Sequence, residues 1–220
     1  MANHVHKKSP IKSPHLVPAS GRMVLRRANL NELVQEVAGL LPQHLNETIR
    51  VKMELAPECL SVMADKTGIG EVVMNLVKNA AEAMPRGGML TVSTKLVGSQ
   101  ACRDSLPGSS CGLMSVTDTG VGMDKITVER MFEPYFTRKA GGRRGLGLSI
   151  ADSIIRKHSG CFKVESAIGK GTSIKVYLPL VRGEIQKQNT ALFPRSFPPS
   201  YLRETKVGLL ERRAVSLERR

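Results

Sequence analysis

The sequence predicts an α+β fold: a two-layer α/β sandwich in which helices cover one face of a mixed, largely antiparallel sheet. Three observations lead there. Strand-like and helix-like segments follow one another without the regular βαβ order of a doubly wound sheet. "MLTVSTKLV" with "GLMSVTD", and the two arms of "CFKVESAIGKGTSIKVYLP", read as antiparallel pairs. Three further segments read as helices.

In chain order, "ANLNELVQEVAGLL" opens with Asn29 and, three residues on, Glu32, a start like a capping box. Leu30, Leu33, Val34, Val37, Leu40 and Leu41 then recur at helical spacing, predicting an amphipathic helix that stops near Pro42. "TIRVKMEL" alternates Ile49, Val51, Met53 and Leu55 against Arg50, Lys52 and Glu54, a half-buried strand, and "LSVMA" reads as a second one. Asp65 or Thr67 caps the next helix, whose first turn Gly68 and Gly70 weaken by about 1 kcal/mol each relative to Ala. That helix ends before "PRGG". After the strand pair, residues 124–145 lack clean periodicity and read as a short helix and a mobile loop. "GLSIADSIIRKHSG" follows as a helix closed by Gly160 at its C-cap, and the last hairpin completes the fold.

Two hundred and twenty residues, 41% of them apolar, make one domain the default, here residues 24–180. Flanking it, 1–23 and 181–220 read as basic, disordered tails. The net charge of +14 is concentrated there: residues 1–28 hold six Lys/Arg and no acid, and 180–220 hold nine against four. Loose electrostatic attraction is the weak functional reading of such tails, and 4% aromatic content with no Trp supplies no base-stacking platform, so nucleic acid is not an expected partner. No apolar run approaches the roughly 20 residues that cross a bilayer, and the N-terminal stretch has no apolar signal core, so a soluble, cytoplasmic chain is expected. Cys59, Cys102, Cys111 and Cys161 form no CxxC pair and are expected to be reduced thiols.

The chemistry begins with "EVVMNLVKNAAEAM". Residues three and four apart share a helix face, so Glu71, Asn75, Lys78, Asn79 and Glu82 form one polar stripe opposite Val72, Val73, Leu76, Ala80 and Ala83. A solvated face is one reading and a working site the other. Asn is the odd member, because it competes for backbone hydrogen bonds and weakens a helix. In "VTDTGVGMD", Asp118 ends a strand and Gly120 and Gly122 follow two apart, either a plain turn or a carboxylate placed for an exocyclic amine with glycines giving close backbone approach. "GGRRGLGLS" runs straight into a helix, so Gly145, Leu146, Gly147 and Leu148 offer backbone N–H groups and a positive helix end to phosphates. No P-loop or Rossmann fingerprint fits.

The ordered set of the Asn-bearing helix, "DTGVGM", "MFEPYFTRK", "GLGLSIADSIIRKHSG" and "GKGTSIKVYLP" closely resembles the catalytic and ATP-binding domain of sensor histidine kinases, within the Bergerat-fold ATPases, over about residues 24–180. "NAAEAMPRGG" and "FEPYFTRK" look most like the nitrogen-regulatory and oxygen-sensing branch. The resemblance implies ATP and Mg²⁺ as cofactors. Asn79 resembles the Mg²⁺ ligand, with Asn75 beside it; Lys78 adds a cation near the triphosphate or is simply solvated. Asp118 is similar to the residue that takes the adenine amino group, with Gly120 and Gly122 implied to give the ring access, and Thr172 resembles the threonine near the adenine edge. Gly145, Leu146 and Gly147 fall in the second glycine box, where Arg143 and Arg144 depart from the family pattern, as Arg138 does in "FTRK". Phe132, Pro134 and Phe136 look like the aromatic box that anchors an ATP lid over roughly 123–145. Hydrolytic branches carry a water-activating Glu where Asn75 aligns; Glu71, one turn earlier, could substitute, so Glu71 and Asn75 are the catalytic candidates.

The family's acceptor histidine lies on an upstream dimerising hairpin. Here about 25 residues precede the domain, His4, His6 and His15 have no helical pattern around them, and His44 and His158 read as structural. The expected partners are therefore a histidine-containing dimerisation domain or partner kinase, and a response regulator. The competing expectations are a Bergerat-type ATPase, an anti-sigma-like serine kinase, or a non-catalytic module using its basic tails.

Overall fold

The computed structural model describes residues 3–6, 23–39, 45, 47–98, 110–137 and 145–181. Six strands form the main sheet in the order β1-β7-β8-β6-β5-β3: β1 (Asn3–His6), β3 (Ile49–Glu54), β5 (Gly88–Val97), β6 (Cys111–Asp118), β7 (Cys161–Ser166) and β8 (Thr172–Pro179). Only β3 and β5 run parallel; every other neighbour is antiparallel. Helices α1 (Leu30–Ala38), α2 (Lys66–Ala83) and α4 (Gly147–Lys157) pack on this sheet, and α3 (Lys125–Arg130) is a short turn of helix against β1. The predicted two-layer α+β architecture with a mixed sheet is the one observed.

Alternation puts Leu90, Val92, Met114, Val116, Ile174 and Val176 on the covered face, where they meet Ile69, Val72, Leu76, Ala151, Ile154 and Ile155 from the helices. Each such aliphatic side chain, fully buried, contributes about 1.5–3 kcal/mol. The other face of β3 carries Arg50, Lys52 and Glu54, as the period-2 pattern requires.

Several elements depart from the sequence reading. "LSVMA" does form a strand, β4 (Ser61–Ala64), but it pairs with β2 (Arg26–Asn29) in a separate two-stranded ribbon. The strand Asn3–His6 lies within the segment read as a tail and pairs with β7 at the sheet edge. Helix α1 ends at Ala38, earlier than Pro42, and residues 40–44 are outside those described. Its capping is local: the Asn29 Oδ1 accepts from the Asn31 N–H at 3.1 Å, while Glu32 accepts from the Asn29 side-chain amide at 3.2 Å. At the start of α2, Asp65 is the cap, its Oδ1 taking the Gly68 N–H at 2.8 Å.

The end of α4 corrects one assignment. Gly160 is not the left-handed residue; Ser159 is, with φ 57°. The Ser159 N–H donates to Arg156 O and the Gly160 N–H to Ile155 O, both at 2.9 Å, which is the Schellman pattern with Ser159 at the left-handed position. Glycine is needed one residue later for closeness: a Cβ on Gly160 would lie 2.6 Å from Tyr177 O. Ser159→Gly is therefore expected to stabilise the fold by about 1 kcal/mol, read as a higher urea midpoint with unchanged slope, because a left-handed non-glycine residue carries a penalty of roughly that size.

Candidate functional site

Helix α2 divides its polar stripe. Glu71, Lys78 and Glu82 are exposed, whereas Asn75 and Asn79 are half-buried at the border of the apolar face formed by Ile69, Val72, Val73, Leu76, Val77 and Ala80. The three charged residues thus lie on the water side of the helix, and the two carboxamides lie where the next element meets it.

That element is the start of α4. The Asn75 side-chain amide donates to Gly147 O at 3.2 Å, and a Cβ on Gly147 would lie 3.4 Å from Asn75 Oδ1. Gly145 is left-handed (φ 60°) and Leu146 occupies the N-cap with no side-chain hydrogen bond to the helix, so the first N–H groups of α4 have no cap from that side chain. The Ser149 hydroxyl is turned back along the helix and donates to Leu146 O at 2.9 Å. An 11-residue helix beginning beside a carboxamide is suited to an anion.

The other end of α2 meets the segment that follows β6. The Val121 N–H donates to Ala83 O at 3.0 Å, and a Cβ on Gly120 would lie 2.4 Å from the same oxygen. Asp118 is buried; its Oδ1 accepts from the Gly120 N–H at 2.8 Å, and it sits across the ladder from Thr172. Burial pushes the Asp118 carboxyl above the usual carboxylate range, opposed in part by the Gly120 and Thr172 N–H groups. Gly122 (φ 64°) and Gly171 (φ 81°) bring three backbone segments together: a Cβ would lie 2.0 Å from Ala167 O at the first and 2.0 Å from Asp118 O at the second. Gly120 and Gly122, expected to give a ligand access, closely approach the protein's own backbone at Ala83 and Ala167.

Thr172 is buried with Ser166, and their hydroxyls lie 2.9 Å apart. Ser166 gives its proton to Gly171 O (3.0 Å) and accepts the Met123 N–H (2.9 Å), so Thr172 is the donor to Ser166. Ser166, Thr119 and Gly171 were not among the expected site residues. The Thr119 hydroxyl oxygen accepts the Met89 N–H at 3.0 Å. "GKGT" held the only sequence signal for Gly171; nothing marked Ser166, which reads simply as the last residue of a strand.

The expected residues are thus strung along one helix. Gly147 touches Asn75, Asn79 is one turn further along α2, and Ala83 one turn beyond that; Ala83 O meets Gly120 and Val121, and Gly120 in turn bonds Asp118, which pairs with Thr172. At 1.5 Å per residue the two ends are about 12 Å apart. Glu71 and Lys78 lie on the exposed side of α2. A shallow groove of about 480 Å³, lined by Glu54–Glu58 and Ser93–Leu96, lies at the opposite end of β5 and contains none of these residues.

The expected aromatic box is split. Phe132 is buried with its ring centroid 5.0 Å from that of Phe162, and the Arg130 guanidinium lies 4.6 Å from the centre of Phe136, but Pro134 is exposed. Tyr135 is left-handed (φ 64°) at the third position of a turn closed by Phe136 N–H to Glu133 O at 3.2 Å, a position that favours glycine. A Cβ on Gly145 would lie 2.7 Å from Phe136 O, so the chain returns at Gly145 to the place it left. Arg138, Arg143 and Arg144 lie outside the described residues, as do Cys102, His15 and His44.

With this geometry established, comparison with known proteins is informative. The family profile described as "Histidine kinase-, DNA gyrase B-, and HSP90-like ATPase" matches residues 64–182. The sensor kinase CckA of Brucella abortus (strain 2308) is 34% identical over 172 residues, 74% of this chain and 18% of that protein. Sporulation kinase B of Bacillus subtilis (strain 168) is 33% identical over 153 residues, 69% of this chain and 33% of that one. The chain therefore spans a third or less of the length of these relatives. Among solved structures, the nucleotide-free catalytic domain of histidine kinase ThkA superposes with TM-score 0.60 at 31% identity, covering 72% of this chain and 97% of that one. The mycobacterial sensor histidine kinase MprB, at 24% identity and TM-score 0.59, shares the fold.

Proposed function

The chain belongs to the histidine kinase-, DNA gyrase B- and HSP90-like ATPase family, and from that premise we propose that it is the ATP-binding catalytic module of a two-component sensor kinase. In this reading it transfers the γ-phosphate of ATP to a histidine supplied by another domain or chain, in a cytoplasmic setting, with a response regulator downstream. Among the described residues no helix is long and apolar enough to cross a membrane. The observation that carries the proposal is the single line of contacts from Gly147 through Asn75 and Ala83 to Asp118. Adenine would lie at the Asp118 and Thr172 end, with its amino group donating to the carboxylate. The phosphates would lie at the Gly145–Gly147 end against the first N–H groups of α4, which the Leu146 side chain does not cap.

Mg²⁺ suits this donor set. Among the described residues no three His, Cys, Asp or Glu side chains cluster to form a protein cage. Neutral carboxamide oxygens next to phosphates are the kind of ligand a strongly hydrated, oxygen-seeking cation accepts. Asn79 would hold the ion through Oδ1, with Asn75 beside it, and the ion would neutralise charge on the phosphates. What the chain itself does is position: phosphoryl transfer depends mainly on alignment and electrostatics. Asn75 fixes the start of α4, and Glu71, on the exposed side of the same helix, is the carboxylate available for proton transfer at the acceptor.

Titration of ATP in the presence of Mg²⁺ tests the site. Asn79→Ala is expected to weaken binding at least about tenfold, since a lost bond to a charged partner is worth roughly 1.5–3 kcal/mol. With excess EDTA the difference should shrink. Equal affinity with and without the substitution would remove the site. Radiolabelled ATP with a supplied dimerisation hairpin from a related kinase should then give acid-labile phosphate on the hairpin.

A further inference from the structure

Helix α4 is pinned to α2 by a polar contact at each end. At its start the pin is the Asn75 amide on Gly147 O; at its finish it is His158. The His158 Nε2 lies 2.9 Å from the Asp65 backbone N, which can only donate, so Nε2 is the unprotonated nitrogen. Nδ1 therefore carries the proton and gives it to Ile154 O at 2.7 Å. The ring is 3% exposed and both of its nitrogens are used, one within α4 and one across to the residue that begins α2. Between the pins the helices touch closely: a Cβ on Gly68 would lie 3.2 Å from Ile154 Cγ2 and 3.6 Å from His158 Cε1.

Asp65 has a third engagement. Its Oδ1 caps α2 through Gly68, but its Oδ2 accepts the Val24 N–H at 3.0 Å, just ahead of β2. That bond is also the foremost reason the Asp65 carboxyl lies below its ordinary range. A continuous set of bonds thus runs from Val24 to Asp65, across to His158, and along α4 to Gly147. Nothing in capping α2 requires the Val24 or the His158 contact; a serine would cap it as well.

We propose that Val24, Asp65 and His158 form a tether that sets the position of α4, and with it the Gly145–Gly147 end of the nucleotide site, from the segment that leads into β2. His158 and Asp65 are positioning residues, about one helix length from the site residues they act on. The inference rests on the nucleotide reading for its consequence and on the packing alone for its mechanism.

Three variants of the full chain test it: Asp65→Ser, which keeps the helix cap and drops Val24; His158→Leu, which removes the acceptor; and His158→Gln, whose amide oxygen can replace it. Amide hydrogen exchange at Ile150–Ser153 is compared with that at Met114 and Val116 in β6, alongside ATP affinity. Asp65→Ser and His158→Leu are each expected to speed exchange in α4 about tenfold beyond any change in β6 and to weaken ATP binding by a similar factor. His158→Gln should recover most of both, and the Asp65→Ser, His158→Leu pair should be no worse than the poorer single variant. Equal acceleration in α4 and β6, or acceleration limited to residues 156–160, would overturn the tether and leave His158 a plain core residue. Should the unaltered chain fail to bind ATP, the nucleotide reading falls and the exchange comparison still decides the tether.

Discussion

Asp118→Asn is expected to bind ATP at least about 100-fold more weakly than the unaltered chain, and yet to unfold at a higher urea concentration. The two effects have one origin. Asp118 is buried at the end of β6, and burial raises its carboxyl pKa in the folded state, so the ionised form that would receive an adenine amino group is held against its solvation preference. An asparagine keeps the Oδ1 that accepts the Gly120 N–H but carries no charge to desolvate. It also turns a donor toward the incoming amine, and sites built around one hydrogen-bond partner reject the mismatched one by factors of this order or more. A folded-state pKa above the unfolded one makes stability greatest at low pH and diminishes it as pH rises through the folded value. The stability gained in Asp118→Asn should accordingly be largest at neutral pH and shrink on acidification toward the ordinary carboxylate range. A variant that lost binding and stability together would show instead that Asp118 is a structural residue.

Gly171→Ala is expected to be strongly destabilising, costing about 3 kcal/mol or more and moving the urea midpoint accordingly. Its φ of 81° disfavours any side chain, and the new Cβ would lie 2.0 Å from Asp118 O and 3.0 Å from Thr119 Cα. Neither neighbour can rotate away, because both are backbone. The displacement would push apart the ladder between β6 and β8 at its Asp118 and Thr172 rung, so nucleotide binding should fall in step with stability. Gly169→Ala, two residues earlier in the same hairpin turn, meets nothing within 4 Å and has only the left-handed backbone to contend with. It serves as the internal control and should lose about 1 kcal/mol. If the two variants were equally stable, close backbone approach at Gly171 would not be what the turn depends on.

The parts of this molecule that were legible in the sequence are those specified by short-range periodicity. The stripe on α2, the alternation of β5 and β6, the Asp65 cap and the final hairpin all follow from residues within a few positions of one another. What escaped depends on partners far along the chain. The strand Arg26–Asn29, in "RRAN", has neither alternation nor β-branched residues, and it exists because Ser61–Ala64 pairs with it. Gly68 reads as a weakness in a helix, yet it is a position at which α4 packs close, a Cβ there lying 3.2 Å from Ile154 Cγ2. Ser159 occupies the left-handed residue of a cap that "HSG" seemed to assign to Gly160, because Gly160 is claimed by the carbonyl of Tyr177. Of the candidate site residues, Asn75, Asn79, Asp118 and Thr172 stand out by motif; the structure puts the two asparagines one turn apart on α2 and pairs Asp118 with Thr172 across β6 and β8. Ser166 could not be identified, since only the folded hairpin brings its hydroxyl to Thr172 and Met123.

The meeting of Gly145 with Phe136 has a consequence for how this domain can vary. Because the intervening stretch departs and rejoins at neighbouring points, its span is fixed by the scaffold while its length is not. Doubling such a connection adds only about 0.6 kcal/mol of closure entropy. Related proteins should therefore differ in length at this position while keeping the approach of Gly145 to Phe136.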